Sequence, residues 1–401
     1  MSSARARYAR ILRTPHVLRL MGAALIARLP IGIDSLAIVL FLRQQTGSYA
    51  TAGIVSAAFA LGGGAGAPLL GRLIDRFGQG PVLVPLALAH AAGLGAVVGL
   101  TLLGAPIAVL AVVALAAGLA IPPISATMRP LWGPLLSREP GLLPTAYALD
   151  SVLIELVFVI GPLLTAVATA LLSPAAALGL SAALVVAGTL AFASSPPSRA
   201  WRPDPSEAGH GWMGALRSRG LRTVVLATLP LGFCFGAMEV TLPAFSEAEA
   251  SRAWAGVLLA VWSLGSAAGG LWYGARAEGL RLGPTYVRLV AFVPLTFLPL
   301  AATPSIVVMP VLCLIAGVAI APVLAAGNQL AGDVAPPGAV TEAYAWPITA
   351  LVAGIAAGNA AAGGLVEAAD WRVSFLVGAV VAMIGGVLVL ARRRTLEPAH
   401  V

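Results

Sequence analysis

Twelve apolar stretches of about 20 residues each, parted by short turns that hold most of the charge, leave this chain few ways to fold. A segment that long and that apolar buries its backbone polar groups either in a protein core or in lipid, and in lipid it must be helical. Twelve such helices consume about 240 residues, which matches the 59% of this 401-residue chain that is hydrophobic. Only 10% of the residues are charged, against about 25% in soluble domains. An ordinary soluble enzyme is excluded, and an all-α polytopic membrane protein is expected.

Apolar runs bounded by charges, Gly/Pro pairs or polar turns place spans near 19–42, 51–71, 81–103, 106–128, 146–169 and 174–194. A second set follows near 222–245, 253–274, 284–302, 305–327, 343–366 and 373–391. The halves are then 1–194 and 222–401, joined by a polar linker over 195–221. The 24 basic residues are all arginine. If both termini are cytoplasmic, 19 arginines fall on the inner side and only Arg43, Arg252 and Arg372 on the outer, while Arg28 and Arg288 lie within spans. Positively charged loops resist translocation, so this split predicts a multi-pass protein of the cytoplasmic membrane with both ends inside. The same scatter of arginines over helix ends removes any basic surface for nucleic acid. The first span is too long for a secretory signal and carries Arg28 and Asp34, so it is expected to stay uncleaved. Residues 206–222 mix aromatic, apolar and basic side chains, as a segment lying on the inner leaflet or a solvated linker would.

The two halves repeat one another. Leu29-Pro30-Ile31-Gly32 is answered by Leu229-Pro230-Leu231-Gly232 at an offset of 200, and Ala52-Gly53-Ile54-Val55 by Ala255-Gly256-Val257-Leu258 at 203. Gly118-Leu119-Ala120-Ile121-Pro122 pairs with Gly317-Val318-Ala319-Ile320-Ala321 at 199, and Ala146-Tyr147-Ala148 with Ala343-Tyr344-Ala345 at 197. Six spans per half return the chain to its starting side. The repeats are therefore parallel, related by an axis along the membrane normal, and a substrate path is expected between them.

Between the second and third spans the chain reads Gly71-Arg72-Leu73-Ile74-Asp75-Arg76-Phe77-Gly78-Gln79-Gly80. This resembles the loop signature of the major facilitator superfamily in Gly71, Asp75, Arg76 and Gly78, and departs from it at Gln79-Gly80, where basic residues are usual. A glycine permits close helix approach, and an aspartate can pair with an arginine or a helix amino terminus, so these four residues are candidates for a conformational latch. In the fifth span Gly161-Pro162 resembles the core of the superfamily's antiporter signature, without its flanking glycines. The resemblance implies a twelve-helix fold of two six-helix bundles and a secondary active transporter that works by alternating access.

Ionisable residues at membrane depth need a partner, a water-filled cavity or a function. The candidates for a substrate and proton pathway are Arg28, Asp34, Glu155 and Glu239, with Trp262 placed mid-span to stack on a cargo. An Arg28–Glu155 pair across the amino half is the sharpest structural expectation, with fixed ion pairs as the structural alternative and snorkelling to the interface as the alternative for Glu239. Glu155 or Asp34 would carry the proton, since arginine stays charged. Arg129 and Asp150 are expected as partners at the inner mouth, in a gate or a static clamp. His90, alone in a Gly/Ala-rich span, reads as packed or hydrogen-bonded, with a pH sensor as the alternative, and Asn359 and Gln329 as substrate contacts or interhelical hydrogen bonds.

The expected function is proton-coupled efflux of a small, apolar or cationic organic molecule. The competing readings are proton-coupled import of a sugar, peptide or organic acid, in which Arg28 would hold an anionic group, and a polytopic membrane enzyme or sensor. No His-Glu-x-x-His motif, histidine cluster or phosphate-binding glycine loop supports an enzyme. Cys234 and Cys313 both lie in apolar runs, so neither a disulfide framework nor a metal site is expected. The expected partners are the substrate, protons and the lipid bilayer, with no cofactor, and the chain is expected to act as a monomer.

Overall fold

The computed structural model describes residues 2–137, 139, 142–201, 215–249, 253–276, 281–302, 305–335 and 340–396; side chains of some of these, Gly71, Arg72 and Asp75 among them, lie outside the description. All regular structure among the described residues is helical. A tail helix α1 (Ser2–Arg13) leads into α2 (Val17–Thr46), α3 (Tyr49–Phe77), α4 (Gln79–Leu102), α5 (Ile107–Leu119), α6 (Ile124–Leu135), α7 (Leu143–Leu171) and α8 (Pro174–Ala193). A short helix α9 (Pro196–Ala200) and a 3₁₀ turn (Ala215–Arg217) precede α10 (Arg219–Glu249) and α11 (Trp254–Arg276). Then come α12 (Leu282–Phe297) with a 3₁₀ extension (Leu298–Ala302), α13 (Met309–Gly317), α14 (Ile320–Asp333), α15 (Val340–Ala368) and α16 (Trp371–Arg392), which ends in a 3₁₀ turn (Arg393–Leu396).

Eleven segments among the described residues are long and apolar enough to cross a membrane. The 29-residue α3 stands between the first two and keeps the passes alternating. The face at which α2 begins, the tail face, is also where α8 ends, α10 begins and α16 ends. The opposite side is called the far face.

Two passes are broken, and at corresponding places. The fourth runs as α5 and α6, interrupted at residues 120–123, and the tenth as α13 and α14, interrupted at 318–319. Pro122 and Pro123 lack the amide that would continue the ladder and crowd the carbonyls four residues back, which ends α5. Pro322 stands in the first turn of α14, where a missing amide costs nothing.

The packing inside each half follows one scheme. In the first, α2 lies against α7 and α8, α3 against α5, and α4 against α5 and α8; in the second, α10 lies against α15 and α16, α11 against α13 and α14, and α12 against α14 and α16. The halves meet along α3·α15 and α7·α11, with α10 also reaching α2 and α3.

Glycines set these approaches, because lipid gives helices no hydrophobic reason to associate and close packing must do it. A Cβ on Gly118 would overlap the carbonyl oxygen of Phe59, and one on Gly317 that of Trp262; Gly62 and Gly265 meet the carbonyls of Leu115 and Leu314 in the same way, and Gly269 that of Val318. These contacts repeat at the offsets of 199 and 203 found in the sequence.

Gly188 on α8 abuts the backbone of Ala27 on α2, whereas Gly179, two turns away on the same helix, has open space around it. Gly188→Ala should therefore cost about 1–3 kcal/mol through overpacking, and Gly179→Ala should be neutral or slightly stabilising. Melting temperatures of the two purified variants, compared with the parent, check the pair.

Candidate functional site

The polar groups at membrane depth form separate clusters, and helical phase decides which side chain joins which. Arg28 and Gly32 are four residues apart and share a face of α2; Asp150 and Val157, seven apart, share a face of α7. Gly32 packs on the backbone of Val157 and Gly161, so these two faces meet. Arg28 Nη1 then donates to Asp150 Oδ1 at 2.7 Å, with the arginine side chain fully buried. Arg28 therefore pairs with Asp150, not with Glu155 as expected from the sequence. The reason is phase: five residues after Asp150, Glu155 is turned about 140° around α7. Arg28 Nε and Nη2 find no partner among the described residues. The expected Arg129–Asp150 gate is likewise not formed, since Asp150 is committed to Arg28 and Arg129 is exposed on α6.

Asp34 also departs from expectation. Seven residues beyond Ala27, it shares the α2 face that packs on α8, so it points into the amino half, away from the path between the halves. There it accepts a hydrogen bond from Ser181 of α8 and faces His90 of α4, whose Nε2 lies 3.1 Å from Asp34 Oδ2. His90 Nδ1 lies 2.8 Å from the carbonyl oxygen of Ala117. A carbonyl only accepts, so Nδ1 carries the proton of the neutral ring. All three side chains are buried.

A third cluster joins the halves. Glu239 of α10 accepts from Ser35 of α2 and from Asn359 Nδ2 of α15 at 3.4 Å. Asn359 Nδ2 also reaches Ser56 Oγ of α3 at 3.3 Å, and Ser56 lies 3.0 Å from Ser35 Oγ. Since Ser35 spends its proton on Glu239, Ser56 donates to Ser35. The carboxylate is thus held by neutral donors from both halves, with no cation in the cluster. Glu239 is half-buried rather than turned to the interface, so snorkelling is set aside. Sequence reasoning named Glu239 and Asn359 but missed Ser35 and Ser56. Ser35 lies seven residues after Arg28 and so shares its inward face, a signal available from spacing alone.

Nearer the far face, Arg43 Nε meets Glu247 Oε2 at 3.0 Å and its guanidinium lies over the Tyr49 ring at 4.7 Å. Tyr49 Oη donates to the same Glu247 oxygen at 2.8 Å. Glu367 lies against Ser48 and the first amides of α3. Arg372, another arginine assigned to the outer side, sits 3.4 Å from Asp370 and stacks on Trp371. Arg252 lies outside the described residues.

Glu155 is partly exposed and has no described partner. It shares its face of α7 with Pro162 and Ala166, seven and eleven residues on, which touch Gly256 of α11 in the other half. From the rise per residue, Glu155 sits about 10 Å nearer the tail face than Glu239. Trp262 is buried edge-on against Phe235 at 4.7 Å, inside the second half. Of the loop residues, Gly71 and Asp75 have side chains outside the description. Arg76 is exposed and packs against Phe77, and Gly78 ends α3 at φ +89°, a conformation that favours glycine.

A family model described as the Major Facilitator Superfamily matches residues 20–277 and 247–401, and the chain belongs to that superfamily. It is a multi-pass membrane protein of a transporter family. No curated protein matches the chain in sequence. Among solved structures, the nucleoside transporter NupG superposes with a TM-score of 0.76 at 15% identity, covering 94% of this chain and 98% of that one. The POT family transporter PepTSo gives 0.74 at 15% identity, covering 96% and 98%. A bacterial homologue of the iron transporter ferroportin, in an inward-facing state, gives 0.71 at 15% identity, covering 94% and 98%. These likenesses are of fold.

Removing one partner of a buried ion pair costs about 3–5 kcal/mol, so Asp150→Ala should lower the melting temperature of the purified protein sharply. Glu155→Gln, which breaks no described contact, should leave it nearly unchanged. Equal melting losses in the two variants would contradict this assignment of partners.

Proposed function

We propose that this chain is a proton-coupled carrier that exports a small organic cation, or an apolar molecule, across the cytoplasmic membrane by alternating access. In this reading the tail face is cytoplasmic, the chain works as a monomer, and residues 1–194 and 222–401 are the two moving halves joined by the linker over 195–221. The observation that carries it is the charge of the surface between the halves. Glu239 and Glu155 face the other half with no cation beside them among the described residues, whereas Arg28 is buried on Asp150 and Arg43 is tied to Glu247. Such a path favours protons and cations. The cation that an importer of organic acids would use, Arg28, has its charge balanced by Asp150.

The steps follow from who supplies the hydrogen bonds. Parting the halves on the far face takes the Ser35 donor away from Glu239 and leaves it with Asn359, and the water that enters brings a proton within its reach. Closing restores that donor and favours release of that proton toward the tail face. A cargo cation entering from the tail face meets Glu155 first. Each ligand thereby prefers one arrangement of the halves, which is what coupling requires. The spread of cargoes named for structural relatives, nucleosides for NupG and peptides for an auto-inhibited POT family peptide transporter, makes a panel of chemically varied substrates the right starting point.

In proteoliposomes with an imposed pH gradient, the parent protein should drive uptake or release of one or more organic cations against their gradient. Glu239→Gln should lose that gradient-driven accumulation by at least about tenfold while keeping cargo exchange in the absence of a gradient. Full accumulation by Glu239→Gln would remove Glu239 from the proton path, and transport only of anions or sugars into vesicles would replace export of cations with import.

A further inference from the structure

The tail-face end of the second half holds a feature that the carrier reading does not use. A cleft of about 460 Å³ opens between the start of α10 and the end of α16, lined by Arg219, Arg222, Arg392, Arg394, Ala391 and Thr395. None of the four arginines makes an ion pair with a described carboxylate. We propose that this cleft binds a phosphate group, carried by an anionic phospholipid headgroup or by free inorganic phosphate.

Positive-inside bias explains arginines on this face but not their convergence on one cleft. Arg392, Arg393 and Arg394 end a helix, where the dipole favours cations; Arg219 and Arg222 begin one, where it disfavours them. Two cations at an unfavourable helix end, facing two more across a cleft, repel one another within a screening length of about 8–10 Å. An anion between them removes both penalties.

The cleft is also built. Arg392 Nε donates to Thr223 Oγ1 at 2.9 Å, and Thr223 lies 2.8 Å from Thr395 Oγ1, which fixes the end of α16 against α10. Gly220 lets the Thr395 carbonyl approach; a Cβ there would sit 2.7 Å from it. The held guanidinium presents its remaining donors in a planar fork, the shape that matches phosphate oxygens. The corresponding corner of the first half is different. At the repeat offset of 200, Arg219 answers Arg19 and Arg394 answers Ser194, and there Arg19 reaches Ser194 Oγ at 3.5 Å. Where one half sets an arginine against a hydroxyl, the other sets arginine against arginine.

The full-length protein in neutral detergent is melted with added phosphatidylglycerol, with phosphatidylcholine, and with inorganic phosphate against chloride at equal ionic strength. It is compared with the Arg222→Gln/Arg394→Gln variant, which leaves the Arg392–Thr223–Thr395 bonds in place. Phosphatidylglycerol or phosphate should raise the parent's melting temperature by about 3 °C or more, and the variant should lose most of that rise. A rise with phosphatidylglycerol alone assigns the site to a lipid headgroup, and an equal rise with inorganic phosphate assigns it to the free anion. If the double variant fails to fold, Arg394→Gln alone serves, with retained phosphatidylglycerol counted by native mass spectrometry. Equal shifts in parent and variant, equal effects of phosphatidylcholine and phosphatidylglycerol without any phosphate effect, or no shift at all would overturn the proposal.

Discussion

In a bilayer, helices gain nothing by hiding apolar side chains from one another, because lipid is as apolar as leucine. What remains is van der Waals contact, which is greatest where no side chain intervenes. The structure depends on that constraint at its most repeated contact, a glycine on one helix set against a carbonyl of the next. Gly62 and Gly118 lock α3 to α5 from both sides, and Gly265 and Gly317 lock α11 to α13 in the same way. Gly32 and Gly161 do this for α2 and α7, and Gly232, Gly354 and Gly358 for α10 and α15. The polar clusters are placed by these contacts, since a side chain one turn from such a glycine has little freedom in where it points.

The polar groups then divide by whether their partners lie in the same half. Arg28–Asp150 and Asp34–His90–Ser181 are internal to the first half and would travel with it. Ser35–Glu239, Ser56–Asn359, Arg43–Glu247 and Tyr49–Glu247 cross between halves. Breaking an internal pair leaves a charge stranded in a dry interior. Parting a crossing pair admits water along with the separation, so its members are solvated as they come apart. On the proposed reading, these two kinds of bond suit halves that move as bodies and exchange the contacts between them.

Most of the fold was legible because its signals are periodic or repeated. Apolar length gave the passes, and the offsets near 200 gave the two parallel bundles. The paired Gly118 and Gly317 segments carry both the close contacts and, through Pro123 and Pro322, the paired interruptions of the fourth and tenth passes, where apolar length alone predicts unbroken helix. The site was less legible because depth was read without rotation. Arg28 and Glu155 stand at similar depth, yet Asp150 is the acid in phase with Gly161 and Val157, and Glu155 is in phase with Pro162. Asp34 was placed in the path for the same reason, although its seven-residue spacing from Ala27 turns it toward α8. Glu239 was harder. Its position near a helix end fits snorkelling, and only the approach of Ser35 and Asn359 from other helices shows why it stays inside.

The hydrogen bonds and ion pairs named above between the halves lie at mid-depth or toward the far face, and that placement carries a directional consequence. Ser35–Glu239 and Ser56–Asn359 form the inner rung, and Arg43, Tyr49 and Glu247 form the outer one. Glycine contacts back them on both seams, Gly53 and Gly363 between α3 and α15 and Gly256 between α7 and α11. These contacts clasp the two halves toward the far face. If the halves part on the far face as proposed, the ion pair at Glu247 lies outside Glu239 and is released first, so the outer rung guards the inner one. On the proposed reading, a proton reaching Glu239 has already required that clasp to part, and its binding there weakens the need to close again until the serine donors return.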